Sequence, residues 1–309
     1  MPDIRPVLFR LPEPRAVIEL TMSDGAIMRV RRHGNAAGPR LLASHGNGFA
    51  IDGYFPFWRR LLGDFDLFVF DLRDHGWNPR HDAAAHSQRQ MADDLEVVSR
   101  AIERHFGRRP TAGAFHSVSG VVSLLHAMTY GWRWDALILF DPPVAPPPGH
   151  PLHAVQRDFD LALDAWARQR RERFSSADEL AEYFRNARQM RGWVEGAADL
   201  MARAITRPDR EGVMLVCPAA WEAEIYRQNL DSTAWSAVSR FSQELLIVSG
   251  DGDLPGADPP ARIAKALQVE ASVAVVPVRD TGHLLQIERP EPVERIVREH
   301  LRARGFRAC

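Results

Sequence analysis

The sequence predicts an α/β fold built on a mostly parallel sheet, and three observations support this prediction. From residue 40 onward, short apolar runs alternate with helical patterns. These runs are continuously apolar, as expected of strands covered on both faces. The chain has 309 residues, 45% of them hydrophobic, which suffices for one large core with an insertion.

The first two predicted strands form a hairpin at the start of the fold. Apolar or alternating segments at 16–22 and 26–32 flank Ser23-Asp24-Gly25, a typical turn sequence. Two continuous runs follow at 40–44 and 66–71, and each ends in a polar, glycine-containing loop. The pattern changes there from a hairpin to strand-helix alternation.

The remaining core elements continue this alternation. Ser87 and Gln90 have the spacing of a capping box, which predicts that a helix begins there. Strands are expected at 111–115, 136–140, 244–250 and 272–278, and a final helix at roughly 290–304.

The segment between residues 144 and 240 interrupts the strand pattern. It contains helical periods and a second capping box at Ser176 and Glu179. We therefore expect a core formed by residues 1–143 and 241–309, with 144–240 inserted as a mostly helical cap.

Composition argues against several functional classes. The formal net charge of −1 offers no field for nucleic acid. Two cysteines, Cys217 and Cys309, indicate neither a disulfide framework nor a cysteine-rich metal site. No run reaches the length of a membrane span and no signal-peptide pattern is present, so we expect a cytoplasmic protein, monomeric or homodimeric, without membrane insertion.

Ser117 is the candidate nucleophile, because it follows a predicted strand and precedes an apolar helix. A serine on such a sharp turn is exposed, and the N–H of the next residue, Val118, faces the developing oxyanion. Ser119 is a rival nucleophile, and a simple helix-capping role is the alternative for Ser117. Phe115 departs from the G-x-S-x-G pattern, which has glycine at that position.

A histidine and several aspartates follow later strands. His283 lies on a loop after the strand at 272–278, where an imidazole is placed to take the serine proton. Asp253, after the strand at 244–250, is the preferred carboxylate to orient it, while Asp141 and Asp251 are alternatives. The order Ser, Asp, His is the one used by hydrolases with this type of turn.

The loop His45-Gly46-Asn47-Gly48 is the candidate for the rest of the oxyanion hole. Its glycines allow the backbone close to a substrate, and the N–H of Asn47 is the preferred donor, with Gly48 beside it. There are two hypotheses for the Asn47 side-chain amide: it donates to bound substrate, or it holds the loop by a local hydrogen bond.

The motifs HGNG, FDLRDHG, FHSVSG, VSGDGD and DTGH together resemble the α/β-hydrolase superfamily, in its capped branch. The resemblance covers nearly all of the chain outside the cap. It implies a mostly parallel eight-stranded sheet, no cofactor, and a triad on Ser117, Asp253 and His283, with oxyanion donors at Asn47 and Val118. Members that open epoxides or remove halides use an aspartate nucleophile, so Ser117 argues against both.

These features predict a hydrolase that cleaves a small or medium apolar carboxylic ester through an acyl-enzyme. Cap aromatics, Trp193 above all and also Tyr183, Phe184 and Trp221, are candidates to line the acyl pocket. Alternatives are C–C bond hydrolysis, cofactor-free perhydrolysis, and a non-catalytic ligand-binding protein of the same fold. No histidine spacing indicates a metal site.

Overall fold

The fold is described from a computed structural model that covers residues 9–190, 192–231 and 233–307. Its centre is an eight-stranded sheet in which only the second strand runs antiparallel to its neighbours. The predicted eight-stranded α/β fold is confirmed. Cys309 lies outside the described residues, whereas Cys217 is buried as a free thiol.

The core strands lie close to their predicted positions. In chain order they are β1 (Ala16–Thr21), β2 (Ile27–Gly34), β3 (Arg40–Ser44), β4 (Asp66–Phe70), β5 (Thr111–His116) and β6 (Ala136–Phe140), followed after the insertion by two more. Because the spatial order places β4 outside β3, the strand that follows, β5, pairs with β3 directly. β6 then pairs with β5 on its far side.

Burial of both sheet faces explains the continuous apolar runs. Leu41 packs into the cluster on one face, while its neighbour Leu42 packs into the cluster on the other. Leu137 and Ile138 divide in the same way. Side chains alternate along a strand, so both members of each pair must be apolar when helices cover the two faces.

Helices surround this sheet and also make up most of the insertion. They are α1 (Phe55–Trp58), α2 (Gln88–Phe106), α3 (Val118–Tyr130), α4 (His153–Arg168), α5 (Ala177–Asn186), α6 (Ala197–Ala204), α7 (Ala219–Gln228), α8 (Ala234–Arg240), α9 (Pro259–Glu270), α10 (Leu285–Glu288) and α11 (Pro290–Ala303). Both predicted capping boxes mark helix starts. The side chain of Ser87 accepts from the Gln90 N–H before α2, and Ser176 accepts from the Glu179 N–H before α5.

The insertion is not purely helical. Three short strands, β7 (Arg173–Phe174), β8 (Thr206–Asp209) and β9 (Gly212–Leu215), form a small antiparallel sheet among α4 to α8. This sheet leaves no recognisable pattern in the sequence, because each strand has two to four residues and β8 contains Pro208. Such strands are too short to show a period of two.

The sheet is completed by β10 (Leu245–Ser249) and β11 (Ala274–Pro277). β10 pairs with β6 and β11 pairs with β10, both in parallel. The carboxyl ends of β3, β5, β6 and β10 therefore meet at one edge, which brings the loops after these strands together. The loop after β11 reaches the same edge.

Candidate active site

Ser117 occupies a strained turn between β5 and α3. Its backbone has φ 54° and ψ −122°, a conformation that non-glycine residues rarely adopt. The turn is held by the Ser117 N–H, which donates to the Phe140 carbonyl at the end of β6. This geometry lifts the hydroxyl above the sheet edge, as expected for a nucleophile elbow.

Phe115 fits two residues before Ser117 because Gly113, on the same strand, leaves room for its ring. The ring is fully buried and lies edge-on to Phe70 and Trp134. A side chain at Gly113 would meet this ring, since a Cβ there would lie 2.6 Å from it. The glycine at 113 thus provides the space that the missing glycine at 115 would otherwise provide.

Ser119, the rival nucleophile, is turned away from the edge. Its hydroxyl donates to the His116 carbonyl at 2.8 Å and its side chain is buried in the first turn of α3. The structure therefore brings Ser117, and not Ser119, to the histidine described next.

A continuous hydrogen-bonded chain joins Ser117, His283 and Asp141. His283 Nε2 lies 2.9 Å from Ser117 Oγ, and its Nδ1 lies 2.7 Å from Asp141 Oδ2. With Nδ1–H donating to the carboxylate, Nε2 is left to accept the serine proton. The second oxygen of Asp141 accepts the Gly250 N–H, so the buried carboxylate is fixed at both ends.

Asp253, the preferred acid at the sequence level, does not reach His283. Its side chain is exposed and binds Lys265. Asp251 instead holds the loop, accepting the N–H groups of Asp253 and Asp280. The end of β6 brings Asp141 to the imidazole, whereas the loop after β10 turns the Asp253 side chain outward to Lys265.

Three residues that the sequence analysis did not single out hold His283 in place. Glu288 accepts the N–H groups of Gly282 and Leu284, on either side of the histidine. His116 donates from Nε2 to the His283 carbonyl at 2.8 Å, and Tyr54 donates to His116 Nδ1, also at 2.8 Å. His116 lies within the serine motif, but no sequence signal connects Tyr54 to it.

The predicted oxyanion loop lies beside the elbow. A Cβ at Gly46 would lie 2.8 Å from His116 Nδ1 and 3.1 Å from the Cβ of Ser117, so only glycine permits this approach. Among the described residues, the N–H groups of Asn47 and Val118 have no protein acceptor. Such free donors are what a developing oxyanion needs.

Gly48 and the Asn47 side chain have supporting positions instead. The Gly48 N–H donates to His75 Nε2 at 3.1 Å, so it is not free for an oxyanion. Asn47 donates from Nδ2 to the Glu222 carbonyl of α7, which ties the loop to the insertion. The expectation that Gly48 donates to substrate is therefore not met, because His75 already accepts its proton.

A family model of the alpha/beta hydrolases matches residues 41–296, which is most of the chain and includes every residue of the hydrogen-bonded chain. The chain belongs to that family. No curated protein matches the hydrolase by sequence.

Solved structures resemble the hydrolase over nearly its whole length. An E-2-(acetamidomethylene)succinate hydrolase has a TM-score of 0.74 at 21% identity, covering 93% of this chain and 100% of its own. An alpha/beta hydrolase from Novosphingobium aromaticivorans has 0.70 at 19%, with coverages of 95% and 100%. A thermophilic esterase from Thermogutta terrifontis has 0.65 at 21%, with 94% and 99%. At these identities the likeness is one of fold.

The charges around His283 favour its protonated form. Burial lowers the pKa of the imidazole, but the hydrogen bond and charge of Asp141, together with the charges of Asp258 and Glu288, outweigh it, so the pKa is raised above the ordinary 6.5. Burial in turn raises the pKa of Asp258 and of Glu288. An imidazolium formed during reaction is thus stabilised by three nearby carboxylates.

Ser117 and His283 line a cavity of about 590 Å³ between the sheet edge and the insertion. Its apolar lining consists mainly of Phe49, Val118, Phe159, Leu163, Trp166, Met190 and Leu284. The hydrolase thus offers an apolar chamber with a few polar groups, as small-molecule sites usually do.

The cap aromatics chosen from the sequence lie elsewhere. Trp193 packs against Phe49 and Phe184, behind the described lining of the cavity. Phe184 is part of the core cluster, Tyr183 faces solvent, and Trp221 packs on His86. None of the four belongs to the described lining of the cavity, and their ring contacts are with neighbouring aromatic side chains.

A second cavity, of about 520 Å³, lies at the opposite edge of the sheet among the arginines 40, 108, 109 and 133. Its described lining contains no serine-histidine pair, so it is not a candidate for the hydrolytic site.

Across the described ranges, no group of three or more potential metal ligands is present, and no helix is long and apolar enough to cross a membrane.

Proposed function

We propose that this hydrolase cleaves carboxylic esters of small to medium apolar substrates through an acyl-enzyme. Ser117 is the proposed nucleophile, His283 the base and later the acid, and Asp141 the residue that orients the imidazole. The observation that carries the proposal is the continuous chain from Ser117 Oγ through His283 to Asp141.

The proposed chemistry follows from this geometry. His283 Nε2 takes the Ser117 proton as Oγ bonds to the ester carbon, and the carbonyl oxygen becomes an oxyanion held by the N–H groups of Asn47 and Val118. The protonated imidazole then gives its proton to the leaving alcohol. A water molecule attacks the acyl-enzyme in the same way, which releases the acid and restores the serine.

The mainly apolar lining of the cavity supports an acyl or alcohol group of moderate size. Solved structures of the same fold include a thermophilic esterase from Thermogutta terrifontis and a thioesterase domain from the curacin biosynthetic pathway. We further propose that residues 144–240 act as a cap over this cavity, because helices α4 and α7 contribute Phe159, Leu163 and Tyr226 to its wall.

Covalent labelling tests the proposal directly. The wild-type protein should react with a fluorophosphonate and hydrolyse p-nitrophenyl esters, whereas Ser117→Ala should lose labelling and at least about a thousandfold in turnover. Ser119→Ala is the matched control, because its hydroxyl faces the His116 carbonyl, and it should keep most of the activity.

Two outcomes would contradict the proposal. Labelling that survives in Ser117→Ala and disappears in Ser119→Ala would move the nucleophile by two residues. A wild-type protein that neither labels nor turns over any ester, but still binds ligands in the cavity, would be a non-catalytic binding protein of this fold.

A further inference from the structure

The cavity wall formed by α4 contains a buried carboxylate that the proposed triad does not use. Asp160 is only 1% exposed and lines the cavity. Its two oxygens each accept one amide N–H at 2.9 Å, from Asn229 and from Gln156. Among the described residues, no lysine, arginine or histidine forms an ion pair with it.

The charge of Asp160 is therefore uncompensated by the protein. Burial raises its pKa to about 6 and the two amide hydrogen bonds only partly oppose this, so the group is mostly ionised at neutral pH. A buried carboxylate with neutral partners costs free energy unless a cation reaches it. The space beside it is the substrate cavity.

The neighbouring walls are suited to a cation as well. Phe159, Trp166 and Tyr226 line the same cavity, and the faces of aromatic rings attract cations. The guanidinium of Arg170, which pairs with Glu222, lies over the Trp166 ring, so a ligand cation would use the face of Trp166 that Arg170 leaves free. The buried Oδ1 of Asn47 is a further acceptor without a hydrogen-bond partner. Asp258 and Glu288 add negative charge, while the exposed Arg188 is the only lysine or arginine among the described lining residues.

We propose that Asp160 and these three rings form a subsite for a cationic group, such as a substituted ammonium, carried by the substrate. This inference rests on the proposed ester hydrolysis and narrows it, because it assigns the substrate a positive charge on the part that lies against α4. Carboxylate-bearing esters would be disfavoured in the same cavity by like charge.

A purely structural role for Asp160 makes a different prediction. The side chains of Gln156, Asp160, Asn229 and Gln88 form a buried network that joins α4 to the end of α7 and to α2. If Asp160 served only this network, replacing it would change stability but would not change the preference between charged and neutral substrates.

A pair of esters with the same shape separates the two roles. Acetylcholine and 3,3-dimethylbutyl acetate differ in having a quaternary nitrogen or a carbon at the same position. For the wild-type protein we expect kcat/KM to favour the cationic ester by about tenfold, because the charge of the buried Asp160 carboxylate is poorly screened across the cavity wall. Asp160→Asn should remove most of this preference while retaining hydrolysis of the neutral ester.

Asp158→Asn is the matched control, two residues away on the same helix. Its carboxylate is 66% exposed and pairs with Arg157, so the preference should be unchanged. Asp160→Glu keeps the charge and should retain part of the preference.

If Asp160→Asn does not fold, the ratio of kcat/KM for the cationic ester to that for the neutral ester, measured against pH with the wild-type protein, replaces it. That ratio should fall below about pH 6 as Asp160 becomes protonated, although Asp258 and Glu288 face the same cavity.

The outcomes distinguish this inference from the proposed function. Hydrolysis of the neutral ester without preference for the cationic one would overturn the subsite and leave ester hydrolysis intact. A preference that survives in Asp160→Asn would also overturn it. Loss of both esters together with loss of fluorophosphonate labelling would instead contradict ester hydrolysis itself.

Discussion

Ser117 combines a reactive position with an unfavourable backbone conformation. A serine at φ 54° and ψ −122° costs on the order of 1–3 kcal/mol, and the surrounding contacts must offset this. Its N–H bonds to the Phe140 carbonyl and its own carbonyl accepts from Gly120 and Val121. The strain is thus distributed over two strands and one helix, which explains how the turn persists.

The identity of the acid gives the first prediction at this scale. Asp141→Asn should preserve the fold while lowering kcat by up to about ten-thousandfold, because the amide cannot hold the imidazole in the required tautomer. Asp253→Asn should remain close to wild type, since its side chain is exposed and binds Lys265. Steady-state kinetics and melting temperatures of both variants check this; the reverse pattern would restore Asp253 as the acid.

The pH dependence of hydrolysis is the second prediction. His283 must be neutral to accept the serine proton, and its pKa is raised by the carboxylates around it, so activity should rise with pH through a midpoint above 6.5. Asp258→Asn removes one of these charges. Because the Asp258 side chain makes no capping hydrogen bond at the start of α9, the substitution leaves that helix start unchanged. The midpoint should then move to lower pH. A profile of kcat/KM that does not shift would exclude Asp258 as a contributor.

The residues of the proposed triad were predictable to different degrees. Ser117 and His283 stand out because each follows a buried strand within a recognisable motif. The acid did not, since Asp141, Asp251 and Asp253 all follow strands that end at one edge. Choosing among them requires the direction of each side chain beyond its strand, and no local pattern contains that direction.

Elements rather than single residues position the histidine loop. The Gly46 N–H donates to the Tyr54 hydroxyl, which donates to His116, which donates to the His283 carbonyl. This relay crosses from the loop after β3 to the loop after β11. It links the predicted oxyanion loop with the predicted base through groups that are all buried.

Tyr54→Phe tests this relay. The change leaves the Gly46 N–H and His116 Nδ1 unpaired, each at a cost of about 1–3 kcal/mol, and frees the loop of His283. We expect a lower kcat with KM little changed and slower fluorophosphonate labelling, along with a lower melting temperature. Tyr130→Phe is the control, because its hydroxyl binds Asp93 on the outer surface. Equal kinetic effects in the two variants would refute a positioning role.

The sequence predicted the elements best where burial and capping act locally. Buried strands such as β4 are apolar throughout, and the serine caps before α2 and α5 mark their starts. It failed for the small sheet of β7 to β9, because its strands have only two to four residues and β7 pairs with a strand about forty residues further along the chain. The sequence pattern also did not show that Phe115 fits before Ser117, because the fit depends on the missing side chain at Gly113, beside the Phe115 ring.

At the scale of the molecule, the insertion supplies the cavity wall while the sheet edge supplies the reactive groups. Phe159→Ala should enlarge the cavity and shift the preferred p-nitrophenyl ester towards longer acyl chains, with a modest effect on stability. Trp193→Ala should instead lower stability by on the order of 3 kcal/mol, because its ring packs against Phe49 and Phe184. Chain-length profiles and thermal unfolding of both variants distinguish specificity from packing.

The position of Asp141 also affects how readily this enzyme can be altered. With the acid at the end of β6, only the ends of the loop after β10 support the proposed site, through Gly250, Asp251 and Asp258. Pro255 and Gly256, in the middle of the loop, line the cavity and have no proposed catalytic role, so these two positions are suited to randomised libraries. Evolution and protein engineers alike can vary the opening of the chamber there, while the reactive groups remain on neighbouring strands that need not change.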